Sequence, residues 1–240
     1  GYKEGAKGIK EKLENEDNII FNLKHIRRIM NKYDIICPIR KAKPYKQMLK
    51  ANLEHRTVEN KLNRKFKQGV PGKVLLTDIT YLHYNVGSEK KTCYLSAILD
   101  AYTHEVLAYQ LSRSLKVEFV IETVDQLIAK YGCTLDNETI VHSDRGFHYT
   151  SLQFIEKLRE AEFIQSMSRK ANCWDNAPIE SFFGHMKDEI RKVISEYSSY
   201  EEVVAKVDDW IDYYNNERYQ WDLKKLSPVE FYEYTQTRSE

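Results

Sequence analysis

Two different periodicities of apolar residues divide the chain. Within residues 6–36, apolar side chains recur every three or four positions, the spacing that places them on one face of a helix. These side chains are Ile9, Leu13, Leu23, Ile26 and Met30. A polar stretch at residues 15–18 separates them into two groups, so the pattern predicts two short helices in a small unit similar to a helix-turn-helix.

From residue 71 onwards, runs of β-branched and apolar residues predict strands, and amphipathic stretches predict helices. The predicted strands cover residues 74–82, 92–99, 106–111, 139–141 and 163–167. The predicted helices cover residues 119–128, 151–161, 178–196 and 200–215. Three consecutive strands followed by alternating helices and strands predict an α/β fold, in which helices flank a mixed sheet.

The composition argues against several classes of protein. No apolar run approaches the roughly 20 residues of a membrane span, so no membrane partner is expected. The first five residues lack the basic-then-apolar layout of a signal peptide. The four cysteines lie far apart and form no C-x-x-C pair, which argues against a zinc knuckle and a disulfide framework. A reducing, intracellular setting is the simplest expectation.

The net charge of +1 conceals two oppositely charged parts. Residues 1–70 contain 18 Lys or Arg and 8 Asp or Glu, a net of +10, whereas residues 71–240 carry a net of −9. A basic arm on an acidic body favours a polyanionic partner for the arm, although a solvated basic face without a ligand explains the charge equally well. The candidate contacts on the second helix are Lys24, Arg27, Arg28 and Lys32.

Three acidic residues lie where a carboxylate needs an explanation. Asp78 falls in the middle of an apolar strand, where Asp is disfavoured and a buried carboxylate needs a partner. Asp144 directly follows a strand, and Glu180 follows Pro178 in a predicted first helical turn. Each has an ordinary interpretation: a backbone hydrogen bond, a turn or cap, and stabilisation of the helix dipole, respectively.

Taken together, the three carboxylates fit a specific chemistry. Hard divalent cations are bound by oxygen, and three carboxylates can hold two ions about 3.5–4 Å apart. Such a pair generates the nucleophile and stabilises the leaving oxygen of an in-line displacement at phosphorus. Lys187 lies seven residues after Glu180, two helical turns further on, and is therefore expected to point to the same side.

The residues around the carboxylates resemble the motifs of the IS3 family of bacterial insertion-sequence transposases, within the DDE transposase and retroviral integrase superfamily. The three acidic motifs match residues 77–81, residues 142–146 with 149–151, and residues 172–177 with 180–183 and Lys187. The closing segment of the family matches residues 214–218 and 226–228. The resemblance covers residues 1–232.

This resemblance implies an RNase H-like fold and a DNA transposase that cleaves and transfers DNA strands. It implies that Asp78, Asp144 and Glu180 are catalytic and hold two Mg²⁺ ions, with Mn²⁺ as a substitute, and that Lys187 contacts DNA near the reacting bond. The implied partners are the insertion-sequence ends and target DNA, on which a homo-oligomer assembles in the bacterial cytoplasm. A circular intermediate and a further upstream helix-turn-helix module are also implied.

The resemblance, with the charge pattern, predicts four segments. They are a small basic helical DNA-binding unit at 1–36, a basic linker with room for a helix at 37–70, an RNase H-like catalytic core at 71–198 and a C-terminal helical segment at 199–240. Two other classes stay open. One is a retroviral-type integrase or other RNase H-like nuclease, disfavoured because no zinc-binding His/Cys set is visible. The other is a non-catalytic DNA-binding regulator, which would be expected to lack a carboxylate.

Other candidate residues have plainer interpretations. Asp100 follows a strand and is more readily explained as a turn residue than as a metal ligand. His142 is expected to orient the loop that carries Asp144, and Gln220 stands where many family members have His. Three aromatic residues have the helical spacing i, i+3, i+4: Trp210, Tyr213 and Tyr214. This spacing favours a stripe that packs in the core over a surface on which bases stack.

Overall fold

The computed structural model describes residues 5–35, 56–169 and 173–237, within two compact units, Gly1–Glu54 and His55–Glu240. Residues 37–55 of the predicted linker and Asn172 of the third motif lie outside the described residues. In the part that is described, no helix combines the length and the hydropathy needed to cross a membrane. The limits given above for the four segments remain predictions.

The first unit contains the two short helices that the periodicity predicted. Helix α1 spans Ala6–Asn15 and α2 spans Leu23–Lys32, and the two contact each other. The side chain of Asn22 caps α2 by accepting a hydrogen bond from the backbone N–H of Lys24 at 2.9 Å. Ile26 is buried, and the four basic side chains proposed as contacts, Lys24, Arg27, Arg28 and Lys32, are all exposed.

The second unit is built on a five-stranded mixed sheet, which confirms the predicted fold class. The strands are β1 (Val74–Val86), β2 (Glu89–Asp100), β3 (Val106–Ser112), β4 (Ile140–Ser143) and β5 (Ile164–Met167). Their order is β3-β2-β1-β4-β5; β1, β2 and β3 pair antiparallel, whereas β4 runs parallel to both β1 and β5. Gly87, with φ of 61°, supplies the left-handed conformation in the tight turn from β1 to β2.

Helices cover both faces of this sheet. They are α3 (Val117–Tyr131), α4 (Leu152–Glu160), α5 (Ala177–Ile194), α6 (Tyr200–Asn216) and α7 (Pro228–Gln236). Successive side chains of a strand point to opposite faces, so Leu75 packs with α3 and α4, whereas Val74 and Leu76 pack with α5 and α6. Complete burial of one such leucine contributes about 1.5–3 kcal/mol.

Two details differ from the sequence-based expectations. Trp210 and Tyr214 are buried against Phe182, but Tyr213 is 41% exposed, so the predicted core stripe is wrong at that residue. Helix α7 was not predicted as a separate element, although Ser227 and Glu230 form a capping box at its start.

Candidate active site

Asp78 lies in the middle of β1 and faces α5. Along β1 the side chains alternate between the two faces, and Asp78 has the same parity as Val74 and Leu76, which pack on the α5 side. The carboxylate is half-buried, and its Oδ1 accepts a hydrogen bond from the backbone N–H of Ile79 at 2.8 Å. The alternation of side chains along β1 therefore places the carboxylate of Asp78 on the face of the sheet that α5 covers.

Asp144 directly follows β4, the parallel neighbour of β1. Leu76 pairs with His142 between these strands, and Asp78 and Asp144 each lie two residues further along. The backbone N–H of Gly146 donates to Asp144 Oδ1 at 2.7 Å. A Cβ at residue 146 would lie only 2.8 Å from that oxygen, so glycine permits the close turn that holds the carboxylate.

Glu180 lies in the first turn of α5, as expected, and is exposed. Pro178 occupies the start of the helix, and the buried residues that fix α5 on the sheet are Ile179, Phe182, Phe183 and Met186. Asn176 stands at the N-cap without a side-chain hydrogen bond, and Asp175 is buried in a separate cluster.

The three carboxylates influence one another electrostatically. The pKa of Asp78 is raised to about 7: burial is the largest cause, and the charges of Asp144 and Glu180 add to it, while a hydrogen bond from Ile79 and the charge of Lys187 oppose it. Partial burial and then Asp144 raise the pKa of Glu180. The site thus gathers like charges from β1, the turn after β4 and α5.

Lys187 lies on the same side of α5 as Glu180. It is half-buried, and its positive charge favours the ionised form of Asp78, lowering the pKa of that carboxyl. The pKa of His83 is lowered by burial, by Lys90 and by Lys187. Lys187 therefore acts electrostatically on Asp78, and its contact with DNA stays a prediction.

The donor set fits hard divalent cations. Among the described residues, no three His, Cys, Asp or Glu side chains are grouped so that they could hold one metal ion together. Mg²⁺, however, usually takes only one or two protein carboxylates, with water and phosphate as its other ligands. Burial and, to a smaller extent, the charges of Asp144 and Glu180 disfavour the ionised form of Asp78, and a bound cation would offset this cost.

A buried polar layer supports the turn that carries Asp144. His142 is buried, with Nδ1 2.9 Å from Ser166 Oγ and Nε2 3.1 Å from Ser168 Oγ. Burial lowers the pKa of His142 to about 4, so the ring is neutral at pH 7. This arrangement fits the expectation that His142 orients the loop.

Two other sequence candidates are structural in this fold. Asp100 is buried and accepts backbone hydrogen bonds from Gly72, Tyr102 and Thr103, as a turn residue does. Gln220 Oε1 lies 3.0 Å from Nδ1 of His104, and its backbone pairs with Leu226. Gln220 thereby ties the β2–β3 turn to the C-terminal segment.

Sequence reasoning missed the cluster around Asp175. This fully buried carboxylate bonds to Asn60, Arg64 and Arg169. Asn60 and Arg64 are 115 and 111 residues away along the chain, so no local pattern points to them. An Asp in an otherwise uncharged stretch before α5 was the only available signal.

Comparisons with known proteins agree with this fold. Two family models described as "Integrase core domain" match residues 70–173 and 180–235. Among solved structures, the HTLV-2 integrase catalytic core domain in complex with magnesium gives a TM-score of 0.52 at 15% identity, covering 68% of this chain and 97% of that chain. The BIV integrase catalytic core domain gives 0.51 at 17%, covering 70% and 99%. The fold and the family models thus define an RNase H-like integrase core domain.

Relatives in sequence define the family more narrowly. The putative transposase InsK for insertion sequence element IS150 of Escherichia coli K12 is 33% identical over 210 residues, covering 88% of this chain and 71% of the relative. An uncharacterized transposase-like protein of Haemophilus influenzae is 34% identical over 217 residues, covering 90% and 94%. The chain belongs to the IS3-type insertion-sequence transposases of the DDE transposase and integrase superfamily, the enzymes of DNA transposition. The retroviral integrases share its fold alone.

Proposed function

We propose that Asp78, Asp144 and Glu180 are the carboxylates with which this transposase cleaves and joins DNA strands at the ends of an insertion sequence. The observation that carries the assignment is the pKa of Asp78, which burial and the two other carboxylates raise to about 7. Folding gathers these like charges at a cost, and perturbed groups of this kind concentrate at functional sites.

The cofactor in this proposal is Mg²⁺, for which Mn²⁺ can substitute. Carboxylate oxygens are the ligands this ion prefers, and one HTLV-2 integrase core with a similar fold is described in complex with magnesium. When bound, two ions supply activation of the attacking oxygen and stabilisation of the leaving oxygen. Asp78 must lose its proton to act as a ligand, so metal binding at neutral pH should release protons.

The reaction consists of two displacements at phosphorus. In the first, a water oxygen attacks the phosphodiester at the element end, the bond from phosphorus to the 3′-oxygen breaks, and that oxygen gains a proton. In the second, the freed 3′-hydroxyl loses its proton and attacks a phosphodiester of another strand, which releases a new 3′-hydroxyl. Lys187 binds the non-bridging phosphate oxygens next to Glu180, where it neutralises charge.

The partners in this proposal are the two element ends and the target DNA. The exposed basic face of α2, formed by Lys24, Arg27, Arg28 and Lys32, binds DNA phosphates. A simian T-cell lymphotropic virus intasome contains a chain of similar fold, with a TM-score of 0.57 and 13% identity. The match covers 88% of this chain and 67% of that chain. We accordingly propose a homo-oligomer on DNA, working in the bacterial cytoplasm on chromosomal or plasmid DNA.

A strand-cleavage assay tests the proposal. The full chain is incubated with a labelled duplex that carries the element end, in Mg²⁺, Mn²⁺ or EDTA, and the products are separated on a denaturing gel. We expect a shortened strand with a 3′-hydroxyl in either metal and none in EDTA. Cleavage that persists in EDTA, or that Asp144→Asn leaves unchanged, overturns the assignment.

A further inference from the structure

One buried carboxylate draws together two arginines from distant parts of the sequence. The side chain of Asp175 is 0% exposed. Its Oδ1 accepts from Arg64 Nε at 2.8 Å and from Arg169 Nη2 at 2.8 Å, and its Oδ2 accepts from Arg169 Nε at 2.9 Å. Asn60 Nδ2 also donates to Oδ2, at 2.9 Å. Asp175 therefore holds Arg169 bidentately and Arg64 by its Nε.

The guanidinium groups of this cluster reach solvent, whereas the carboxylate does not. Both groups are bonded to the single carboxylate of Asp175. The side chains of Arg64 and Arg169 are 45% and 51% exposed, whereas Asp175 is inaccessible. An anion that approaches this surface would consequently meet the guanidinium groups and not the carboxylate.

The cluster lies at the same edge of the sheet as the candidate active site. Arg169 follows Ser168, whose backbone N–H donates at 2.9 Å to the carbonyl oxygen of Ser143, the residue before Asp144. On its other side, Asp175 lies in the turn that directly precedes α5, and Arg64 borders the same cavity as Ala177 and Pro178 at the start of that helix. The arginines thus border both the Asp144 turn and the start of α5.

We propose that Arg64 and Arg169 form a binding site for a backbone phosphate of DNA next to the reacting bond, and that Asp175 positions both. The inference rests on the proposed function. Guanidinium groups suit phosphate because they present several N–H donors in a plane. A guanidinium already anchored by a buried carboxylate loses less side-chain freedom when it binds, so the anchor strengthens the contact. Phosphate contacts of this type would set the register of the DNA without reading its sequence.

The competing explanation is purely structural. In that case, the ion pairs only fasten the segment with Asn60 and Arg64 to the loop before α5. Their removal would then lower stability without changing the affinity of folded protein for DNA. The two explanations differ in the salt dependence of binding, because each phosphate contact on duplex DNA contributes about 0.9 to the slope of log affinity against log salt.

The test is DNA binding by the full chain in EDTA, with a labelled duplex at salt from about 50 to 200 mM. Arg64→Gln and Arg169→Gln should each weaken binding at low salt roughly 3- to 10-fold and reduce the slope by about 0.9. The matched control is Arg113→Gln. Arg113 is 61% exposed, pairs with Glu201 and follows β3 on the opposite edge of the sheet, so its loss should leave affinity and slope at wild-type values.

A third variant separates positioning from simple charge. Asp175→Asn keeps both arginines but removes their anchor. Loss of an acidic charge alone would tighten DNA binding, whereas loss of positioning should weaken it, with the slope unchanged because the number of cations is unchanged. Weaker binding by folded Asp175→Asn supports the positioning role, and tighter or unchanged binding overturns it.

The binding measurements are interpreted only for variants that fold, and a cooperative thermal unfolding transition identifies these. Wild-type affinity and slope in both folded arginine variants would overturn the phosphate site. Should the Gln variants fail to fold, Arg64→Lys and Arg169→Lys keep the charge but lose the planar donors, and wild-type binding by both would overturn the site equally. Metal-dependent cleavage by the wild type is read separately, so failure of this site and failure of the proposed function are distinguishable.

Discussion

Asp78 of β1 and Asp144, which directly follows the adjacent parallel strand β4, each come two residues after the paired Leu76 and His142. Neighbouring strands are about 4.8 Å apart, so the pairing register brings the two backbones close enough for their carboxylates to repel. On its other side, Asp78 is paired with Ala97, a small residue that supplies no compensating charge. The register of the sheet therefore creates a repulsion that a bound cation would relieve.

Burial of Asp78, together with this repulsion, leads to a stability prediction for Asp78→Asn. The amide is close in shape to the carboxylate but carries no charge, so the variant should be more stable than the wild type in the absence of metal. We expect a gain on the order of 1 kcal/mol, or about 2–4 °C in Tm, measured by thermal unfolding in EDTA. Strand cleavage in Mg²⁺ should be abolished in the same variant.

Asp209→Asn is the control for that experiment. Asp209 is an exposed residue of α6 that pairs only with Lys206 among the described residues, and exposed pairs contribute little. Its loss should change neither Tm nor cleavage. Cleavage close to the wild-type rate in Asp78→Asn, or equally in Asp144→Ala or Glu180→Ala, would refute the catalytic assignment.

Replacing Lys187 should weaken DNA binding or strand transfer more than it weakens metal binding. Lys187→Ala removes the cation that faces Asp78, so binding of the element end or strand transfer should fall roughly tenfold, as expected for one charge-assisted contact. Lys187→Glu should be worse because it adds repulsion where phosphate must lie. The measurements are end-duplex affinity and single-turnover strand transfer, with Mg²⁺ binding followed by thermal shift.

Lys192→Ala tests whether position on α5 matters. Lys192 is an exposed lysine five residues later, which places it on a different face of the helix. This variant should retain wild-type strand transfer. Equal losses in both variants would indicate a general effect of charge on α5 rather than a contact at Lys187.

The sequence predicted the elements because their signals are local. Runs of β-branched and apolar residues indicated β1 to β5, and the amphipathic stretch after Pro178 indicated α5, which carries Glu180 and Lys187. Tyr213 was misplaced because a helical stripe of three aromatic residues is wider than the contact surface, which takes Trp210 and Tyr214 but leaves Tyr213 in solvent. Residue spacing predicts which side of a helix faces the core, but not how wide the surface is that packs against that side.

Strand order and long-range partners could not be predicted in the same way. The pairing of Asp175 with Arg64 joins residues 111 positions apart, and only the tertiary fold brings them together. Asp is common at helix N-caps, yet the carboxylate of Asp175 turns inward to the arginines, and Asn176 is the N-cap of α5. The partners of a buried carboxylate depend on tertiary packing, which the neighbouring sequence does not predict.

The Asp175 cluster gives a prediction about pH. The Arg169 guanidinium, by its hydrogen bonds and charge, and Arg64 hold the pKa of Asp175 well below its usual range. Because the pKa of Asp175 is lower in the folded state, its ionised form stabilises the fold at pH values above 3.8, the ordinary pKa of the carboxyl. This stabilisation is lost as the pH falls below 3.8. Asp175→Asn should therefore cost about 2 kcal/mol at pH 7, less than a fully buried pair would because both arginines are half-exposed.

Urea unfolding of Asp175→Asn and wild type between pH 8 and about pH 3 measures this difference. The gap in the free energy of unfolding should stay constant down to about pH 5 and shrink below the ordinary carboxyl pKa. Asp222→Asn serves for comparison, because Asp222 is 54% exposed and pairs with Lys67 at 3.4 Å. A gap that widens on acidification would contradict the assigned direction of the shift.

The basic arm should bind DNA through phosphates and with little preference for sequence. Residues 1–70 carry a net charge of +10, and Lys24, Arg27, Arg28 and Lys32 are exposed on α2. Affinity should fall steeply with salt, and replacing Arg27 and Arg28 together by Gln should reduce the slope by up to about 1.8. Base-specific recognition requires side chains that reach base edges in a groove, and four basic residues on one helix face supply only part of that. Gel-shift titrations of end and scrambled duplexes at two salt concentrations decide the matter, since a strong preference for the end duplex would mean that this chain already reads sequence.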